Sequence, residues 1–64
     1  MKLSEKIQAI VDSNYTSYKI EKESGISTES FGRYRSGQRD IKRMTLETAE
    51  KLEIFYEQYL SDDN

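Results

Sequence analysis

Leu46, Ala49, Leu52, Phe55, Tyr56, Tyr59 and Leu60 recur three and four residues apart, the spacing that gathers side chains on one face of a helix. Thr45 stands where an N-cap belongs, and Glu47 falls in the first turn, near the positive end of the helix dipole. No other stretch of the chain carries so broad an apolar stripe. Whatever fold forms must lay its remaining apolar residues against this helix.

Those remaining residues are few. The chain has 64 residues, of which 34% are hydrophobic and 34% charged, so its core must be economical. A chain of this size buries roughly 60% of its unfolded surface, near the lower limit for self-support. It contains no cysteine and no histidine, which removes disulfide staples and the usual zinc ligands and fits a cytoplasmic setting. No apolar run is long enough to span a bilayer, and "MKLSEKIQAIVD" lacks an uninterrupted signal-type segment. One domain over residues 1–60 is expected, with the acidic "SDDN" at 61–64 fraying.

Ahead of the long helix the patterns are short. Leu3, Ile7, Ile10 and Val11 predict a helix over 2–12, broken by Ser13-Asn14. Thr16 or Ser17 caps a second helix to about Ser24, with Ile20 inward and Tyr18 at its edge. Gly25 is a helix stop, Ile26 an apolar anchor, and Ser27 a cap for a third helix over 28–35 with Phe31 and Tyr34 inward. Gly37 ends it, and "SGQRDIKRM" reads as a loop pinned by Ile41 and Met44. With no strand-like alternation, proline or repeat, the chain reads as all-α, a compact bundle of four to five short helices.

Charge is unevenly spread. The formal net charge is −2, yet residues 31–43 hold five cations (Arg33, Arg35, Arg39, Lys42, Arg43) against Asp40 alone. Residues 44–64 hold only Lys51 against six acids. Such segregation fits one face turned to an anion and another kept from it; a solvated mixed-charge surface is the plain alternative.

Two short helices joined by a tight glycine turn describe a helix-turn-helix. "YKIEKESGISTESFGRYRSGQRDIKRMTLETAEKL" resembles the Cro/C1-type, lambda-repressor-like helix-turn-helix family, with Ile20, Gly25, Ile26, Phe31 and Tyr34 at its motif core and turn positions. The resemblance extends over about residues 3–60. It implies a sequence-specific, repressor-like regulator of transcription that binds double-stranded DNA with the third helix in the major groove. Homodimers are expected on symmetrical sites. Glu21 departs from the family pattern, which usually has a small residue there. A long acid at that position must reach sideways to solvent or pair with a cation.

In that reading Thr28, Glu29, Ser30 and Arg33 meet base edges, Arg33 being suited to guanine and Glu29 to the cytosine amino group. The alternative for Glu29 and Arg33 is an i,i+4 pair on a solvated helix, worth about 0.2–0.5 kcal/mol. Ser17, Tyr18, Lys19, Ser27, Arg35, Ser36, Gln38, Arg39, Lys42 and Arg43 are the candidates for phosphate contact, which positions without specifying. Gly32 costs a helix about 1 kcal/mol relative to alanine. Close approach of DNA, simple tolerance, or crowding beside Phe31 and Tyr34 would each account for it.

Phe55, Tyr56, Tyr59 and Leu60 serve either as core or as a dimer seam, and Tyr15 lacks an assigned role. Catalysis is disfavoured: no phosphate-cradling glycine loop and no nucleophile–base constellation can be assembled. No cofactor, metal or small-molecule ligand is expected. The rival reading, motivated by Glu21, Glu29 and the acidity, is a protein-interaction module on the same fold, such as a phage or plasmid regulatory or counter-defence partner.

Overall fold

A computed structural model describes residues 2–61 as four α-helices and one turn of 3-10 helix, with no strand among the described residues. The helices are α1 (Leu3–Asp12), α2 (Ser17–Ser24), α3 (Thr28–Arg35) and α4 (Leu46–Tyr59); Ile41–Arg43 form the 3-10 turn. The chain is all-α, as its sequence pattern predicts.

Capping chemistry sets most of the boundaries. Thr16, Ser27 and Thr45 each accept, at the side-chain oxygen, the N–H three residues on, closing the N-termini of α2, α3 and α4. Asp40 accepts the N–H two residues on, from Lys42, at the 3-10 turn, with a 3.0 Å bond. Gly25 ends α2 at φ +84°, a left-handed conformation that costs an L side chain energy, and its N–H returns to Glu21 O at 2.8 Å.

Packing centres on α4, which lies chiefly against α1 and then α2; α3 packs mainly on α2 and more lightly on α1. Eight residues form the buried core: Ile7 and Ile10 of α1, Ile20 of α2, Ile26 of the turn, Phe31 of α3, and Ala49, Leu52 and Phe55 of α4. No polar or charged residue is buried among those described. Phe55, Tyr56, Tyr59 and Leu60 are buried or packed against this cluster, so the domain core accounts for them without a dimer seam. Tyr15 also finds its place. Its ring meets Phe55 edge-on at 5.4 Å and Tyr59 at 5.8 Å, closing the α1–α2 loop over α4.

Two expectations need correction. Leu46 is 69% exposed rather than inward, because the first residue of α4 borders an open groove with Leu3, Ile7, Ile41, Met44 and Ala49. Tyr34 is half-buried and outside the core; its ring lines an open cleft with Arg39, Asp40 and Arg43 while Phe31 alone fills the interior. Of the expected acidic tail, only Ser61 is described, its N–H donating to Tyr56 O at 2.8 Å. The rest of the expected tail, from Asp62, lies outside the described residues.

Lys6 joins α1 to α4 by donating to Glu57 at 2.7 Å and Glu53 at 3.0 Å. These bonds, Glu57 first, raise its ammonium pKa above the usual lysine value. No helix is long and apolar enough to cross a membrane among the described residues.

Gly25 and Gly32 make a contrasting pair, since a Cβ built at either would meet no heavy atom within 4 Å. Only backbone conformation then separates them. Gly25→Ala is expected to destabilise the fold by about 1–2 kcal/mol, and Gly32→Ala to stabilise it by about 1 kcal/mol, both read from urea unfolding midpoints.

Candidate nucleic-acid interface

The candidate surface is built on α3, whose sequence spends only one fully buried side chain on the core. Phe31 is 0% exposed, and the residues two before and two after it, Glu29 and Arg33, turn the other way. Glu29, Gly32 and Arg33 therefore share the outward face, and exposed Thr28 opens the helix beside them. Ser30 is half-buried on the flank, its N–H held by the Ser27 hydroxyl at 3.1 Å. The four expected base-contact residues are thus divided: three face out and Ser30 lies at the margin.

Arg33 shows the i,i+4 approach to Glu29. Its guanidinium lies 3.7 Å from Glu29, too long for a hydrogen bond but close enough for attraction. Glu29 is 82% exposed and Arg33 40%, so the pair is solvated and readily parted. At Gly32 the Tyr34 side chain does not approach within 4 Å of the space a Cβ would take.

Glu21 is neither free in solvent nor paired with a cation. Its Oε1 accepts from the Thr28 N–H at 3.0 Å and from the Thr28 hydroxyl. A carboxylate at this point satisfies an otherwise unpaired N-terminal amide of α3 and meets the positive end of its dipole. The hydroxyl bond, then the amide bond, lowers the Glu21 pKa below its ordinary value.

Arg35 is committed elsewhere than to a phosphate. Its guanidinium donates to Ser13 O at 3.1 Å, Val11 O at 3.2 Å and Ile10 O at 3.4 Å, all at the C-terminal end of α1, where cations are favoured. A fourth bond reaches the Ser17 hydroxyl at 3.4 Å, and the charge lies 5.2 Å from the Phe31 ring centre. Two expected backbone contacts, Ser17 and Arg35, thereby satisfy one another.

The other phosphate candidates fall into two groups. Lys19 faces α4, lying 4.9 Å from the Tyr59 ring centre and 3.5 Å from Glu23, whose carboxylate also accepts from the Tyr59 hydroxyl. Ser27 is occupied as a cap, and Ser36 donates to Arg33 O at 3.2 Å. Tyr18, Gln38, Arg39, Lys42 and Arg43 are exposed, and these three cations form no ion pair among the described residues. The loop bearing them folds back on α3, Arg39 N–H donating to Arg33 O at 3.2 Å. Together with Tyr34 and Asp40, Arg39 and Arg43 line the cleft of about 260 Å³. No cluster of metal-ligating side chains occurs among the described residues.

Sequence reasoning passed over the structural roles of Glu21 and Arg35. For Glu21 a signal existed: an acid whose backbone receives the cap of α2 stands one turn before Gly25, close to the next helix start. Arg35 had none, because its acceptors lie 18–25 positions away.

Compared with family models, with curated proteins and with solved structures, the chain matches none of them.

Two measurements test this geometry. Arg35→Ala should destabilise the protein by about 2 kcal/mol, since hydrogen bonds to a charged group contribute about 1.5–3 kcal/mol; the urea midpoint reads it. Glu21 should titrate below the ordinary glutamate value of about 4.3, followed by its side-chain carboxyl chemical shift. With the folded pKa depressed, the stabilisation is complete above that ordinary value and is lost as pH falls through the folded one. Thr28→Val, which removes the larger of the two causes, should raise the midpoint.

Proposed function

We propose that this protein is a sequence-specific double-stranded DNA-binding regulator of the Cro/C1-type helix-turn-helix kind, repressor-like in its action. The observation that carries the reading is the outward face of α3. It presents Thr28, Glu29, Gly32 and Arg33, none of them in the core, on a short helix held at a glycine turn. A domain this small would not be expected to keep a helix-weakening glycine where its own packing makes no use of it. Close approach of a groove wall does make use of it.

In this mechanism α3 enters the major groove. Arg33 parts from Glu29 to donate to guanine, while Glu29 accepts from a cytosine amino group. Arg39, Lys42 and Arg43, without an ion pair among the described residues and on the loop that folds back against α3, meet phosphates and set the register. Tyr18 at the N-terminal end of α2 and Gln38 add contacts to the same strand backbones. A single domain covers a short site, so two copies act together on symmetrical sequences. The cytoplasm is the corresponding setting.

One observation favours a second reading, a protein-interaction module. Ile54 is 60% exposed on α4 among Glu50, Lys51 and Glu57, and Leu46 is exposed at the same helix's start. Apolar surface of this kind serves protein contact rather than phosphate contact.

Binding to a pool of random duplexes at several salt concentrations separates the two. The DNA reading expects log K to fall against log salt with a slope of about −3 per domain, three phosphates being neutralised at about −0.9 each. Binding that is absent or indifferent to salt rejects it. On the selected site, Arg33→Ala should cost about 1–3 kcal/mol and relax preference at one base pair. Gly32→Ala should weaken binding while leaving the fold more stable, a combination that packing alone does not produce.

A further inference from the structure

Thr28 lies at the exposed start of α3, and its hydroxyl donates to the Glu21 carboxylate of α2. A threonine hydroxyl has one proton and two lone pairs, whereas an ionised carboxylate only accepts. The direction of this hydrogen bond is therefore settled by chemistry. With the proton turned toward Glu21, Thr28 keeps a lone pair and a methyl group for whatever approaches from outside. The amide of the same residue donates to the same Glu21 oxygen at 3.0 Å, which holds the carboxylate in place without the hydroxyl's help.

We propose that Glu21 sets base preference at the position facing Thr28 by withdrawing that residue's only side-chain hydrogen-bond donor, so that guanine is excluded there. The inference rests on the DNA reading given above. Guanine presents two acceptors, N7 and O6, to the major groove, and a hydroxyl that cannot donate meets them with lone pair against lone pair. Thymine presents a methyl group, and adenine and cytosine present amino groups; each is compatible with what Thr28 still offers. Glu21 is thus a positioning residue that acts through Thr28 and touches no base itself. Its lowered pKa, caused by the two Thr28 bonds, agrees with a carboxylate that is ionised at neutral pH and cannot return a proton.

The experiment is site selection from a random duplex pool with the wild type, Thr28→Ala, Glu21→Ala and Glu21→Gln. Thr28→Ala locates the facing base pair as the position whose preference it relaxes. Glu21→Ala frees the hydroxyl proton and should raise the guanine frequency at that position by roughly three- to tenfold, the worth of one hydrogen bond. Glu21→Gln keeps a carbonyl acceptor for Thr28 and should restore the wild-type exclusion, which a requirement for charge alone would not do.

Other outcomes overturn the proposal. If Thr28→Ala relaxes no position, Thr28 faces no base. If Glu21→Ala weakens all duplexes alike, Glu21 is structural and the DNA reading stands without this inference. A wild type that prefers guanine at the located position refutes it whether or not Glu21→Ala folds. A wild type that enriches no duplex removes the functional reading and this inference together.

Discussion

Phe31 is the one fully buried side chain that α3 contributes, and a single apolar anchor fixes where a helix sits but not how it is tilted. Two polar clamps hold its ends. At the start of α3, Glu21 of α2 grips Thr28 by its amide and hydroxyl. At the end, Arg35 reaches across to the carbonyls that close α1. Each clamp joins a charge to a helix end of opposite partial charge.

This arrangement explains how eight core residues suffice. Apolar burial scales with area, and a chain this short has little to bury. Helix ends, by contrast, offer unsatisfied donors and acceptors in proportion to the number of helices, and short helices have relatively more of them. Lys6 on Glu53 and Glu57, Tyr15 against Phe55 and Tyr59, and Arg35 over Phe31 all tie elements together at the margin of the core. The stability of α3 therefore draws on directional bonds, which specify geometry more narrowly than apolar contact does.

Periodicity and capping are local properties, and they made the helices legible in the sequence. The stripe of α4 and the caps at Thr16, Ser27 and Thr45 needed only residues within a few positions. Gly25 was legible because a left-handed turn has few other residues to choose from. Leu46 and Tyr34 were misplaced for a different reason. A wheel position states which way a residue points, not whether a neighbouring element extends far enough to cover it. Long polar side chains were the least legible. Arg35 looked like one more cation in a basic run, and only the meeting of α1 with α3 reveals the carbonyls it serves. The outward residues Glu29, Gly32 and Arg33 were identified as a group because they are what remains of α3 once Phe31 is assigned inward.

The acidity of the chain loses much of its force as an objection to anion binding once its charges are placed. Exposed charges act over about 8 Å at physiological ionic strength, a fraction of the 34 Å long axis. Lys6 occupies Glu53 and Glu57, and Lys19 occupies Glu23, all between or upon helices that pack against α4. On the α3 side Glu21 is bound to Thr28 and Glu29 lies beside Arg33, whereas Arg39, Lys42 and Arg43 have no ionic partner among the described residues. Withdrawing Arg35 into the α1 clamp lowers the count of available cations without changing the sign of this surface. A net charge averaged over the whole chain would hide that difference, because a bound phosphate feels the nearest unpaired groups first.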